Sequence, residues 1–419
     1  MNSHPFEKFQ LSKSILRAVT EEGYQEPTPV QLAAIPEVLA GRDLMATAQT
    51  GTGKTAAFAL PMLERLQNRP SGNNGSGRPL RALILTPTRE LALQVETSFR
   101  VYGKYLSLRS AVVLGGVSMG SQLTALRKQP DILVATPGRL LDLMKQKQVR
   151  LDRIEILVLD EADRMLDMGF IDDVRKIVSH VPARRQTLLF SATMTTEIVG
   201  LAGDMLNDPV RVETTRPASV SQNIDQRVLF VDHADKGALL ADILKSKSLS
   251  RVLVFTRTKH RADRLMRHLS TNGISADAIH SNRSQNARQR ALAAFDRGNI
   301  TVLVATDIMA RGIDVEGISH VINYELPNDP ESYVHRIGRT ARAGAAGTAL
   351  SFCDASEILM LKGIEKLTRC TLIAVEDHRF HSATIASLYS PRTGSAASCS
   401  APPQWRSFGP RGRSGRRSR

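Results

Sequence analysis

The sequence predicts an α/β protein built twice over: two parallel β-sheets in tandem, each flanked by helices. Short continuous apolar runs recur along the 419 residues, each ends in a polar or glycine-containing turn, and a helix-like stretch follows. Runs without apolar–polar alternation suit strands buried on both faces, the habit of parallel sheets covered by helices. In the first half they are DLMATA (43–48), RALILT (81–86), DILVAT (131–136), EILVLD (155–160) and TLLFSAT (187–193). In the second half they are RVLVFT (251–256), ITVLVAT (300–306), HVINYEL (320–326) and TALSF (348–352). A chain of this length exceeds one ordinary core, so we expect a first domain at 1–210, a polar linker at 211–223 and a second domain at 224–376. SGNNGSG (71–77) reads as an exposed loop. From 377 to 419 the apolar periodicity fades and Ser, Ala, Pro, Gly and Arg dominate, so this tail is expected to be disordered.

With 42% hydrophobic and 23% charged residues the composition is that of a soluble globular protein. MNSHPFEKFQ has no apolar core of a secretory signal, and no apolar run is long enough for a membrane span. Cys353, Cys370 and Cys399 are odd in number and far apart, which suits a reducing cytoplasm and suggests neither a disulfide framework nor a zinc site. The formal charge of +15 is uneven: eight arginines and no carboxylate follow from His378, leaving +7 (15 − 8) on the rest. A basic chain with an arginine tail points to a polyanion, most simply nucleic acid, with a solubility or membrane-surface tail as the other reading. Tyr389, Trp405 and Phe408 stand among those arginines, where they can stack on bases.

AQTGTGKT (48–55) follows the run DLMATA and opens the helix-like AAFALPMLERL. Strand, glycine loop and helix in that order is the setting of a phosphate-binding loop, whose N–H groups wrap phosphate oxygens. Within Ala48, Gln49, Thr50, Gly51, Thr52, Gly53, Lys54 and Thr55, the lysine would neutralise the β- and γ-phosphates and the Thr55 hydroxyl would bind Mg²⁺. Ala48 takes the place of the pattern's usual first glycine. VLDEADRM (158–165) puts carboxylates at the end of a parallel strand, where ligands bind. Asp160 is then placed to hold Mg²⁺ and Glu161 to orient or deprotonate a water, while a helix dipole explains Asp163 equally well. HRIGRTAR (335–342) spaces Arg336, Arg339 and Arg342 three apart, one face of a helix if the stretch is helical, with no acid in the octet.

Asp160 to Asp163 spell Asp-Glu-Ala-Asp, and from about Phe6 to about Leu372 the chain resembles the DEAD-box ATP-dependent RNA helicases, most nearly the bacterial RhlE-type members. The resemblance implies two tandem RecA-like domains, with ATP and Mg²⁺ as cofactors. By it, GYQEPTPVQ (23–31) reads adenine: Gln31 bonds its edge, Tyr24 packs on the ring and Phe6 supports Tyr24. PTRELALQ (Pro87, Thr88, Arg89), Gly115–Gly116 and TPGR (Thr136, Pro137, Gly138, Arg139) match segments that grip RNA. Ser191 and Thr193 of SAT match the motif linking hydrolysis to strand separation, with Asp163 coupled to it. VFTRTK, QNAR and ATDIMARGID give Arg257, Arg288 and Thr306 to RNA and Asp314 to the ATP ribose. Arg339 and Arg342 reach the γ-phosphate once the domains close, and His335 and Arg336 serve contacts between them. Arginine suits that role because its planar fork pairs phosphate oxygens and keeps its charge. The family usually has glycine at the positions of Ala341 and Ser281 and a smaller residue at that of Met309.

The expected activity is RNA-stimulated ATP hydrolysis that opens short RNA duplexes locally or remodels RNA–protein complexes. An ATP-gated RNA clamp or assembly platform without productive unwinding is the competing reading. Expected partners are single-stranded RNA and short duplexes, with ribosomal precursors (ribosome biogenesis) and RNA-decay complexes as candidate settings, and no membrane.

Overall fold

A computed structural model describes residues 4–48, 51–68, 78–213, 223–245, 249–307, 315, 317–341, 346–389 and 397–398. The chain divides into two compact units, Met1–Pro217 and Ala218–Arg419.

The first unit holds strands β1 (Leu44–Thr47), β2 (Ala82–Leu85), β3 (Ser110–Val113), β4 (Ile132–Ala135), β5 (Ile156–Leu159), β6 (Gln186–Ser191) and β7 (Val210–Glu213). They form one sheet in the order β3-β4-β2-β5-β6-β1-β7. Every pairing in it is parallel. The ILVL of β5 and the ALIL of β2 are buried throughout, because helices cover both faces. One face packs on a core around Phe58, Phe99 and Phe190, the other on a core around Leu140, Leu157 and Met165.

The second unit repeats the plan with β8 (Ile224–Phe230), β9 (Val252–Thr256), β10 (Ala276–Ile279), β11 (Val302–Thr306), β12 (His320–Asn323), β13 (Gly347–Cys353) and β14 (Ile373–Ala374). Their order is β10-β11-β9-β12-β13-β8-β14, again all parallel. Both sheets are thus parallel and helix-covered, as the apolar runs predict. Among the described residues no helix is long and apolar enough to cross a membrane.

Three expectations need revision. Residues 211–213, expected in the linker, belong to β7, where Val212 is buried in the first core. The expected tail begins inside the fold: helix Ala383–Leu388 buries Ile385 in the second unit's core. Just beyond it, the Tyr389 ring lies 5.3 Å from Phe230 and its hydroxyl donates to Glu365 at 2.6 Å. Tyr389 is therefore a packing residue. Cys370 is disulfide-bonded, where the count and spacing of the cysteines suggested no disulfide framework. Cys353 is free and buried, and burial pushes its thiol up to about 12. The loop 71–77, most of the linker, and the tail from 390 apart from 397–398 lie outside the described residues.

Burial of Ile385 contributes about 2 kcal/mol, so ending the chain at Glu376 should lower the melting temperature by about 4–8 °C. Ending it at Tyr389, which keeps Ile385, should lower the temperature by less, both melts being run with reductant so that Cys370 is a thiol in each.

Candidate nucleotide and RNA site

In a parallel sheet every strand ends on the same edge, so neighbouring strands bring their following loops together. β5, β6 and β1 are neighbours, which assembles the acidic loop, the Ser191–Thr193 loop and the phosphate-type loop at one place. The helix Lys54–Asn68 begins on Lys54 itself. Gly51 and Gly53 have φ of +83° and +88°, and a β-carbon on Gly53 would lie 2.4 Å from Gln31 Nε2. Ala48 stays in the extension of β1, fully buried, its N–H on the Ser191 carbonyl at 3.0 Å. It has no positive φ, so glycine is not required there. Lys54 is 7% exposed, and its ammonium has no hydrogen-bond partner among the described residues. A buried, unmet ammonium is costly. It stands beside a helix N-terminus, a setting that suits anions. Thr52 and Thr55 are half-buried next to it, and Gln49 and Thr50 lie outside the described residues.

Asp160 follows β5, donates its N–H to Leu85 and accepts the Glu161 N–H on Oδ1 at 3.0 Å. It is 2% exposed. Burial pushes its carboxyl up to about 6, against the pull of the Lys54 charge and with Glu161 adding to the rise. Glu161 takes left-handed backbone angles (φ +52°, ψ +55°), a conformation a non-glycine residue adopts at a cost of about 1–2 kcal/mol. Arg164, one helical turn on, pairs with its carboxylate at 3.1 Å, both side chains buried. Asp163 does more than the dipole reading required of it. Its Oδ2 accepts the N–H groups of Ala192 and Thr193, each at 3.1 Å, and the Thr193 hydroxyl at 3.3 Å. Its own N–H donates to Ser191 Oγ at 3.2 Å. The acidic loop and the loop after β6 are therefore clasped.

Phe6 is fully buried and stacks on Tyr24, centroids 6.0 Å apart and planes 18° off parallel. The Tyr24 hydroxyl bonds that of Tyr102 at 2.7 Å. Gln31 uses its amide on the chain: Oε1 accepts the Thr28 N–H at 2.9 Å and Nε2 donates to the Gly53 carbonyl at 3.2 Å. One N–H and one lone pair remain.

β3, β4 and β2 adjoin on the other half of the edge and gather the second set of residues. Thr88 caps the helix Arg89–Tyr102. The Arg89 guanidinium lies over Gly115 and Gly116; a β-carbon on Gly116, at φ +71°, would sit 2.0 Å from Arg89 Nη1. Thr136 occupies the N-cap position of the helix Pro137–Lys145 without a side-chain capping bond, and Arg139 donates to the Val117 carbonyl at 3.2 Å. Gly138 has open space around its α-carbon.

In the second unit β10, β11 and β9 are neighbours, bringing Arg288, Thr306 and Arg257 to one edge. Arg288 is buried at 5% exposure, and Arg257 forms ion pairs with Glu325 at 3.3 Å and Glu357 at 3.2 Å. The octet from His335 is helical only to Ile337; Gly338 closes the helix Pro330–Ile337 and the chain turns. Arg336 and Arg339 therefore do not share a helix face. Arg336 finds its acid outside the octet: its guanidinium pairs with Asp307 and donates to Asn323 and the Glu325 carbonyl. These contacts lie within the second unit. Arg339 is 4% exposed, with Nε on the His335 carbonyl at 3.2 Å. Ala341 has φ +57°, a conformation in which alanine costs about 1 kcal/mol more than glycine. Arg342, Asp314 and Met309 lie outside the described residues.

Sequence reasoning missed Arg164, Asp307, Glu325 and Glu357. Only Arg164 carried a local signal, its i+3 spacing from Glu161; the others meet their arginines across strands.

A phosphate-type loop and a strand-end acid on a parallel sheet, followed by a second such sheet, define a P-loop nucleotide-binding protein of tandem RecA-like form. The sequence matches the DEAD/DEAH box helicase family over 28–200 and the helicase conserved C-terminal domain over 235–344. It is 43% identical over 364 residues to the DEAD-box ATP-dependent RNA helicase CshA of Bacillus subtilis, covering 87% of this chain and 72% of that one. It is 45% identical over 368 residues to the ATP-dependent RNA helicase DeaD of Mycobacterium tuberculosis, covering 88% and 64%. The structure of S. cerevisiae Dbp5 bound to RNA and ADP BeF3 superposes with a TM-score of 0.80 at 32% identity, covering 89% and 96%. The chain belongs to the DEAD-box ATP-dependent RNA helicases.

Because the fold raises the Asp160 carboxyl from 3.8 to about 6, it disfavours the ionised form. That penalty is complete above about pH 6 and fades as pH falls towards 3.8. Asp160→Asn should therefore stabilise the nucleotide-free protein by about 1–3 kcal/mol at pH 7.5, and by less at pH 4.5, in urea melts. A larger gain at the acid pH contradicts this account of the site.

Proposed function

We propose that the chain hydrolyses ATP when RNA is bound and uses that cycle to open short duplexes locally. The observation that carries the reading is the buried Lys54 ammonium with no hydrogen-bond partner among the described residues, at a helix start on the same sheet edge as Asp160. Lys54 meets the β- and γ-phosphates, with the N–H groups of Gly51 to Thr55 around them. Gln31 offers its remaining donor and acceptor to adenine, and Tyr24, backed by Phe6, packs on the base. Thr55 and Asp160 would hold Mg²⁺, which when bound draws charge from the phosphate oxygens. Among the described residues no three acids, histidines or cysteines cluster to hold a metal alone. Mg²⁺ takes one or two protein ligands beside phosphates and water.

Glu161 accepts the proton of the attacking water, and Arg164 holds its carboxylate in place. Asp163 passes the state of the acidic loop to Ser191 and Thr193. On the RNA side Thr88, Arg89, Arg139 and the glycines at 115, 116 and 138 follow the backbone from the first unit, with Arg257, Arg288 and Thr306 from the second. Arg339 serves the γ-phosphate when ATP draws the second unit in, with Arg342 beside it and Asp314 on the ribose. ATP then favours the RNA-gripping state because it binds that state better. We assign the chain to the RhlE-type branch and to the cytoplasm.

The test is strand displacement of a short RNA duplex together with ATPase turnover. The parent should do both. Glu161→Gln should keep nucleotide and RNA binding and lose turnover by roughly a hundredfold or more. Hydrolysis by the parent without displacement would favour the RNA clamp, and unaltered turnover in the variant would end the role of Glu161.

A further inference from the structure

The carboxyl edge of the second sheet carries a line of buried charge that the residues already discussed use only in part. Glu325, just beyond β12, is fully buried. Its Oε2 accepts the Arg257 backbone N–H at 2.9 Å, and its Oε1 accepts the Arg257 guanidinium at 3.3 Å. Arg261 pairs with the same Oε1. Its carbonyl oxygen, on the other side, accepts Arg336 Nη1 at 2.6 Å. Arg336 also grips Asp307 through both carboxylate oxygens, next to Thr306 at the end of β11. Glu357, equally buried, backs the arrangement: Oε1 takes the Leu326 N–H at 3.1 Å and Oε2 the Lys236 ammonium at 2.5 Å.

An apolar side chain would fill the space of Glu325 without the desolvation that a fully buried carboxylate incurs. What the carboxylate and carbonyl do together is fix two arginines that start from different elements. Arg257 leaves the end of β9, and Arg336 sits on the helix that leads to Arg339.

We propose that Glu325 is a positioning residue that sets the Arg257 guanidinium for RNA and ties its loop, through Arg336, to the segment bearing Arg339. The inference rests on the functional reading of Arg257 and Arg339 given above. Glu325 touches neither ligand; it decides where the arginines stand. RNA on Arg257 then bears on the geometry of Arg339 within a single unit.

The experiment is RNA-stimulated ATPase measured across RNA and ATP concentrations, with a thermal melt of each variant. Glu325→Gln keeps the volume and one acceptor and removes the charge. It should raise the RNA needed for half-maximal stimulation by about tenfold, the size of one charged hydrogen bond, and lower kcat at saturating RNA. The KM for ATP should stay near the parental value. Glu325→Asp, which keeps the charge on a shorter arm, should raise the RNA requirement by only roughly two- to threefold. Combining Glu325→Gln with Arg257→Ala should be no worse than Arg257→Ala alone, since the two act as one. His233→Ala removes a partner of Asp354, 3.0 Å away in the same charge cluster, without touching Arg257, and should behave like the parent.

A Glu325→Gln protein that melts lower yet keeps parental RNA dependence and kcat overturns the proposal, as does full additivity with Arg257→Ala. Should the Gln variant not fold, the Asp variant decides: a raised RNA requirement sustains the proposal and a parental one overturns it. Parental RNA dependence in Arg257→Ala alone would instead remove the RNA reading of that arginine, and this inference with it.

Discussion

Parallel strand pairing is the constraint on which the rest depends. It gives each sheet a single edge where all strands end, and so decides which loops become neighbours. Sequence order alone would scatter Lys54, Asp160 and Ser191 over more than a hundred residues. The order β5-β6-β1 makes them adjacent. The same rule sorts the first unit's edge into two halves, the phosphate-type residues on one and Arg89, Gly116 and Arg139 on the other.

Electrostatics at that edge is arranged against stability. Lys54 is buried with its ammonium unmet among the described residues, Asp160 is buried with its carboxyl raised, and Glu161 is bent into left-handed backbone angles. Strain of this kind concentrates at functional sites because surrounding packing can hold it there. The second unit follows another course. There Lys236 is paired with Glu357 and Arg336 with Asp307, so these buried charges are compensated.

Legibility in the sequence followed burial. The central strands β2, β4, β5, β9 and β11 read as unbroken apolar runs because both faces are covered. β3, β7 and β10 sit at sheet edges, half or more of their side chains at least partly exposed, and Ser110–Val113 or Ala276–Ile279 gives too mixed a pattern to see. β8 alternates for the same reason. Loop residues with fixed spacing, such as Lys54 and Asp160 to Asp163, were visible because their chemistry requires them in sequence. Asp307, Glu325 and Glu357 were not, since a buried acid meeting an arginine from another strand leaves no spacing to read. Helix Ala383–Leu388 was hidden by composition: one buried isoleucine and one tyrosine hold it among serines and alanines.

The four contacts of Asp163 have one further consequence. Ala192 and Thr193 follow the last residue of β6, and their two N–H groups are spent on that carboxylate instead of on a neighbouring strand. The short peptide after β6 thus owes its shape to a side chain of a different loop. Whatever turns the backbone at Glu161 must drag it along, like a latch carried on the door it fastens.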